Sequence, residues 1–272
     1  MNEREVRLAD GRNLQVYDTG DGELTVLWQH GTPQTGALLE PVVAAAKARD
    51  IRVVSPARPS YGTSSPNPGR SVRSVGEDLR QVVDALGIGR FAAVGASGGG
   101  PHALACAAVM PDRVTAVAGL AGLAPMTGDF DWFAGMASPG APRAAVEGRA
   151  ARAKFAETAE FDPDDFTEAD WAALDGAWAA LGQDAQRAGR AGPDGQVDDD
   201  VAYVSPWGFD VTELEVPVLV VHGGEDRVVP VSHGHWLVEH LRAGELWLRP
   251  RDGHISVLTA LPVALDWVRG QG

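Results

Sequence analysis

Phe91-Ala92-Ala93-Val94-Gly95-Ala96-Ser97-Gly98-Gly99-Gly100-Pro101 is the stretch that decides the fold. Its first four residues are apolar and strand-like, and the run from Pro101 to Ala108 is small and helix-forming. Between them Gly95, Ser97 and Gly99 make a G-x-S-x-G pattern, placed where a strand turns sharply into a helix. A serine in so tight a turn presents its hydroxyl away from the backbone. Glycines are needed beside it because a Cβ there would collide with the neighbouring strand or helix. The helix behind brings N–H groups and a positive dipole end to the place where negative charge develops during acyl transfer. Alone, the pattern also suits a Gly-Ser turn without chemistry, so its surroundings must decide.

Outward from the serine, buried strands alternate with helices. Glu5-Val6-Arg7-Leu8 and Leu14-Gln15-Val16-Tyr17 read as antiparallel strands around Asp10-Gly11. Strands are predicted over 24–28, 51–54, 114–120, 218–221 and 245–248. Helices are predicted over 38–48, 72–86, 231–241 and 262–268. In the second of these, Val75, Leu79, Val82, Val83 and Leu86 share one face. This pattern predicts an α/β fold with a mostly parallel sheet and helices on both faces. Ligands bind such sheets beyond the carboxyl ends of the strands, where His30, Ser97, Asp226 and His254 all fall.

The alternation breaks between 123 and 212. Helix-like pieces at 144–157 and 167–181 are joined by Pro/Gly/Asp-rich loops, and no strand is evident. The chain thus divides into a core, 1–122 and 213–272, and an inserted helical cap, 123–212. The cap carries 17 Asp/Glu against 6 Lys/Arg, and the rest of the chain 20 against 17. The acidic excess therefore belongs to the cap and reads as a solvated face. It argues against nucleic-acid binding, which needs basic patches.

A serine hydroxyl is a weak nucleophile until a base takes its proton. His254 is the candidate base, on a Gly-containing loop after the last strand. His102, His222, His233, His235 and His240 lie on helices or at a strand end. A carboxylate must hold the imidazole in the right tautomer. Asp226 is the candidate, in the loop after the preceding strand, with Glu225 and Asp252 as rivals. Oxyanion donors are expected from the backbone N–H groups of Gly98, after the nucleophile, and of Thr32, in His30-Gly31-Thr32-Pro33.

At this point the chain resembles the α/β-hydrolase superfamily. The likeness covers nearly all of the chain outside the cap. It rests on His30-Gly31-Thr32-Pro33, on Arg58-Pro59-Ser60-Tyr61-Gly62-Thr63-Ser64, on the serine motif, on Gly223-Gly224-Glu225-Asp226-Arg227-Val228-Val229-Pro230 and on Gly253-His254. The order Ser, Asp, His is the order of that family. The resemblance implies hydrolysis of an ester, amide or lactone through an acyl-enzyme. The Gly98-Gly99-Gly100-Pro101 continuation looks most like the esterase and proline-iminopeptidase-like branches. Ala57, Ser60 and Ala96 depart from residues common in relatives. Thr32-Pro33-Gln34 departs from the peptidase loop and counts against peptidase activity. Serine at the nucleophile position counts against dehalogenase or epoxide hydrolase chemistry. The same triad serves C–C bond hydrolysis, hydroxynitrile lysis, acyl transfer and perhydrolysis in this superfamily, and a ligand-binding receptor is a further reading. Receptors of this kind often lose a triad member, and none is missing here.

The cap is rich in aromatic residues, which suits a pocket for a small, mainly apolar substrate. His30, Gly31, Trp132, Phe133 and Trp207 are the candidate substrate-contacting residues, and Trp132→Ala is expected to change substrate preference with little loss of folding. No metal or cofactor is implied, because His233-Gly234-His235 on a helix splays its side chains apart. A single cysteine, Cys106, forbids an intrachain disulfide. No apolar leader is visible near Met1 and no run approaches the length of a membrane span. A cytoplasmic protein acting on a small molecule, with no membrane or nucleic-acid partner, is expected.

Overall fold

A strand covered on both faces must be apolar at successive residues, since these point to opposite sides. In the computed structural model, which describes residues 1–272, β5 (Phe91–Ala96) and β7 (Val218–Gly223) are buried along their whole length. The other strands are β1 (Asn2–Arg7), β2 (Asn13–Asp18), β3 (Leu24–Gln29), β4 (Ile51–Pro56), β6 (Val114–Leu120) and β8 (Gly244–Arg249). All eight form one sheet in the order β1-β2-β4-β3-β5-β6-β7-β8. β1 and β2 pair antiparallel, β2 joins β4 antiparallel, and the remaining pairs are parallel. This is the predicted α/β architecture.

The period of two divides each central strand between two cores. Ala92, Val94 and Ala96 face one side, with Leu219 and Val221. That side is covered by α1 (Glu40–Lys47) and α10 (Leu261–Arg269). Phe91 and Ala93 face the other side, with Val218 and Val220. It is covered by α2 (Val72–Ala85), α3 (Gly99–Val109) and α9 (Ser232–His240). Ser71 caps α2 in a capping box with Ser74, and Val75, Leu79, Val82 and Val83 are buried as the periodicity requires. Each such side chain contributes roughly 1.5–3 kcal/mol of burial. At Gly76 a Cβ would lie 2.9 Å from the Ala105 carbonyl oxygen, so glycine is what lets α2 approach α3 this closely.

Five helices lie between β6 and β7: α4 (Gly140–Val146), α5 (Arg149–Ala156), α6 (Glu168–Asp175), α7 (Ala179–Arg190) and α8 (Asp194–Val204). The helix expected over 144–157 breaks at Gly148, which has φ 101°. The one expected over 167–181 breaks at Gly176. α8 is new relative to the sequence reading. Pro193-Asp194-Gly195 and three consecutive aspartates have the look of a loop, and like charges along a helix disfavour it. Tertiary contacts override that preference: Val197, Ala202 and Tyr203 are buried, and Asp198 and Asp199 pair with arginines of the core. Asp170, Asp184, Asp198 and Asp199 are all buried, so the acidic excess of this segment is partly interior and not only a solvated face. No helix is long and apolar enough to cross a membrane.

Candidate active site

Register brings the loops after β3 and β5 level. Gln29 at the end of β3 pairs with Gly95, and Ala96 at the end of β5 pairs with Leu120. Ser97 follows at once, in the left-handed region with φ 53°. A side chain there is strained. Its N–H donates to the Leu120 carbonyl at 2.8 Å, which fastens the turn. The flanking glycines are sterically required. A Cβ on Gly95 would overlap the Gly99 carbonyl in α3, and one on Gly99 would overlap the Gln29 carbonyl of β3.

His254 Nε2 lies 2.9 Å from Ser97 Oγ, and His254 Nδ1 lies 2.8 Å from Asp226 Oδ2. The other Asp226 oxygen accepts from the N–H groups of Val228 at 2.9 Å and Val229 at 2.8 Å. With Nδ1–H donating to the carboxylate, the Nε2 lone pair faces the serine hydroxyl. Burial disfavours the imidazolium, but the Asp226 charge and hydrogen bond outweigh it and raise the His254 pKa above its usual 6.5. The rivals are elsewhere: Glu225 is exposed, and Asp252 accepts from Arg249 at 2.7 Å.

Gly98 and Thr32 adjoin. A Cβ on Gly98 would come 2.5 Å from Thr32 Oγ1, and one on Gly31 would come 3.7 Å from Ser97 Cβ. The N–H groups of Thr32 and Gly98 have no acceptor in the protein. With Ser97 they line one cavity of about 170 Å³. Its apolar wall includes Leu123, Trp132, Met136, Val228 and Val229, and α8 supplies Gln196, Asp200 and Tyr203. Burial pushes the Asp200 carboxyl up to about 6, against the opposing charge and hydrogen bond of Arg152.

Of the residues expected to touch substrate, only Trp132 lines this cavity. Its indole N–H donates to the Ala124 carbonyl at 2.8 Å, and its ring meets His233 edge-on. Phe133 instead stacks beneath the Arg143 guanidinium at 4.4 Å. Trp207 packs into the larger core and donates to the Tyr203 carbonyl at 3.0 Å. His30 and Gly31 stand behind the wall. The His30 ring accepts from the Arg58 N–H at 3.1 Å and bonds the Gly31 carbonyl at 2.8 Å. Burial, reinforced by the Arg58 charge, holds His30 neutral, well below its ordinary pKa.

Two features lay outside the sequence reading. Asp170 of α6 accepts from the N–H groups of His254 at 3.2 Å, Ile255 at 2.8 Å and Ser256 at 2.7 Å, and so grips the His254 loop. Asp199 of α8 forms a fully buried ion pair with Arg58 at 2.8 Å and another with Arg70 at 2.7 Å. Burial favours the neutral acid, yet the two guanidiniums hold Asp199 well below the usual carboxylate range. Arg58 stands in the quoted Arg58-Pro59-Ser60-Tyr61 stretch, which was the available signal. Its partner carries none, because one aspartate among many in an acidic segment is not distinctive.

The family model described as "alpha/beta hydrolase fold" matches residues 25–261. No curated protein matches the chain in sequence. Among solved structures, a thermophilic esterase from Thermogutta terrifontis is 22% identical with a TM-score of 0.73, over 99% of each chain. An enol-lactonase from Burkholderia xenovorans LB400 is 20% identical with a TM-score of 0.71, over 98% of this chain and 97% of that one. A meta-cleavage product hydrolase from Pseudomonas fluorescens IP01 is 22% identical with a TM-score of 0.67, over 98% and 94%. With the family model spanning the serine turn, the histidine loop and the strands between them, the chain belongs to the α/β-hydrolase fold family.

Proposed function

We propose that the protein is a serine hydrolase that cleaves an ester of a small, mainly apolar substrate through an acyl-enzyme. The observation that carries this reading is the continuous hydrogen-bonded chain from Asp226 through His254 to Ser97. Ser97 Oγ attacks the ester carbonyl carbon while His254 Nε2 takes the hydroxyl proton. The carbonyl electron pair moves onto oxygen, where the N–H groups of Thr32 and Gly98 receive it. On collapse the alcohol leaves with the proton held by His254. Water then attacks the acyl-enzyme, His254 accepts its proton, and the acid departs with Ser97 restored. Asp226 stays ionised and stabilises the imidazolium.

Residues 123–212 act as a cap in this account, since Trp132, Met136 and the cavity-lining face of α8 come from them. The cavity of about 170 Å³ falls below the usual range for drug-sized ligands, so the substrate is small. Hydrolysis of p-nitrophenyl esters from acetate to decanoate tests the reading. Turnover is expected to peak at the shortest acyl chains. A rising rate toward decanoate would contradict the assigned pocket.

A further inference from the structure

We propose that Asp199 of the inserted helix α8 is a positioning residue that seats the oxyanion donors, acting through Arg58 and Thr32, with Tyr203 of the same helix joining Thr32 to Gly98. This rests on the esterase reading of the site and adds to it an element that the triad does not contain.

Asp199 Oδ2 accepts from Arg58 Nε at 3.1 Å, Arg58 NH2 at 2.8 Å, Tyr61 O–H at 3.0 Å and Thr32 Oγ1 at 2.9 Å. Arg58 in turn donates to the His30 carbonyl at 2.5 Å, the Gly31 carbonyl at 3.1 Å and Thr32 Oγ1 at 2.8 Å. Each of those groups belongs to the loop that carries the Thr32 N–H. One turn along α8, the Tyr203 hydroxyl donates to the Gly98 carbonyl at 2.8 Å and lies 2.9 Å from Thr32 Oγ1. A single phenol thus touches the residues of both donors. The protons are consistent: Tyr203 gives its only one to Gly98, and Thr32 gives its own to Asp199 or to the Tyr203 oxygen. Asp184 of α7 pins the same loop further on, accepting from the Thr35 N–H at 2.9 Å and hydroxyl at 2.7 Å.

A surface lid needs no such connection. A fully desolvated carboxylate that organises one arginine against three successive residues of the oxyanion loop fixes where those amides point. Oxyanion stabilisation depends on donors held at the position of the developing charge, so a small displacement reduces the rate more than ground-state binding. The same helix also lines the cavity through Gln196 and Asp200, so contacts to substrate and the seating of the donors share one rigid body.

Asp199→Asn and the milder Tyr203→Phe test this. For both, kcat on p-nitrophenyl acetate is expected to fall, by roughly 100-fold for Asp199→Asn and less for Tyr203→Phe, with KM changed little. Affinity for phenylboronic acid, which forms a tetrahedral adduct on the serine, is expected to fall in parallel. A variant that melts at lower temperature yet keeps its kcat and its boronate affinity when folded would overturn the proposal. Should the wild type turn over no ester, the esterase reading fails separately. The rate of Ser97 labelling by a fluorophosphonate then carries the test: unchanged labelling in folded Tyr203→Phe and Asp199→Asn would overturn the positioning role.

Discussion

His254 sits between two demands. Burial favours the neutral ring, and the Asp226 carboxylate 2.8 Å away favours the imidazolium. The carboxylate prevails, so the base needed by Ser97 is lost as pH falls through a value above 6.5. The acid limb of kcat/KM measured from pH 5 to 9 is expected above that value. A limb below 6.5 would contradict the assignment. Asp226→Asn is expected to move the limb down and to reduce kcat by roughly ten-thousand-fold, because the imidazole loses both its tautomer and its counter-charge. Trp132 does more than line the cavity. It is buried, hydrogen-bonded through its indole and packed on His233. Trp132→Ala should therefore shift acyl-chain preference and also cost about 3–5 kcal/mol of stability. Chemical denaturation of the variant checks the second effect, and an unchanged midpoint would contradict it.

At the scale of elements, the connection between α6 and the histidine loop is narrow. A Cβ on Gly253 would overlap the Asp170 carboxylate that holds His254, Ile255 and Ser256. Gly253→Ala is expected to displace the base and lower kcat by about 100-fold, whereas Gly128→Ala, which meets open space, should leave kcat alone. Equal rates for the two variants would show that Asp170 does not set the loop. Most of the elements were legible in the sequence. The central strands announce themselves by continuous apolar runs and α2 by its periodicity and cap. α8 was not legible, because its stability comes from Arg58 and Arg70, which stand more than a hundred residues away. That Ser97, Asp226 and His254 meet could be read because each stands in a loop that follows a predicted strand. Which aromatic residues line the cavity could not, since Trp132 and Phe133 are neighbours in sequence and differ only in where their side chains pack.

Across the whole molecule, buried neutral histidines dominate the response to acid. Burial pushes His102 and His233 down to about 4, and His30 and His222 are lowered too. Each binds a proton in the unfolded chain near 6.5 but not in the folded one. Below that pH the unfolded state binds more protons, and stability falls until about pH 4. Asp200, raised to about 6, acts in the opposite direction over part of this window. His254, raised in the fold, also opposes it. For His102 and His233 alone the loss is on the order of 3 kcal/mol each, and His30 and His222 add to it, so the net is acid destabilisation. Tm by calorimetry is expected to drop steadily from pH 7 to pH 4, and a flat Tm would contradict this account. Asp199 adds a further loss only at lower pH, as its depressed pKa is approached.

Serine acyl transfer at Ser97 is tested by comparing the wild-type protein with Ser97→Ala. Both are given p-nitrophenyl acetate and, separately, a fluorophosphonate probe read by intact mass. Turnover and a single covalent adduct in the wild type, both absent from the variant, are the predicted result. Equal turnover by the two proteins, or a wild type that neither turns over nor takes the label, would contradict it.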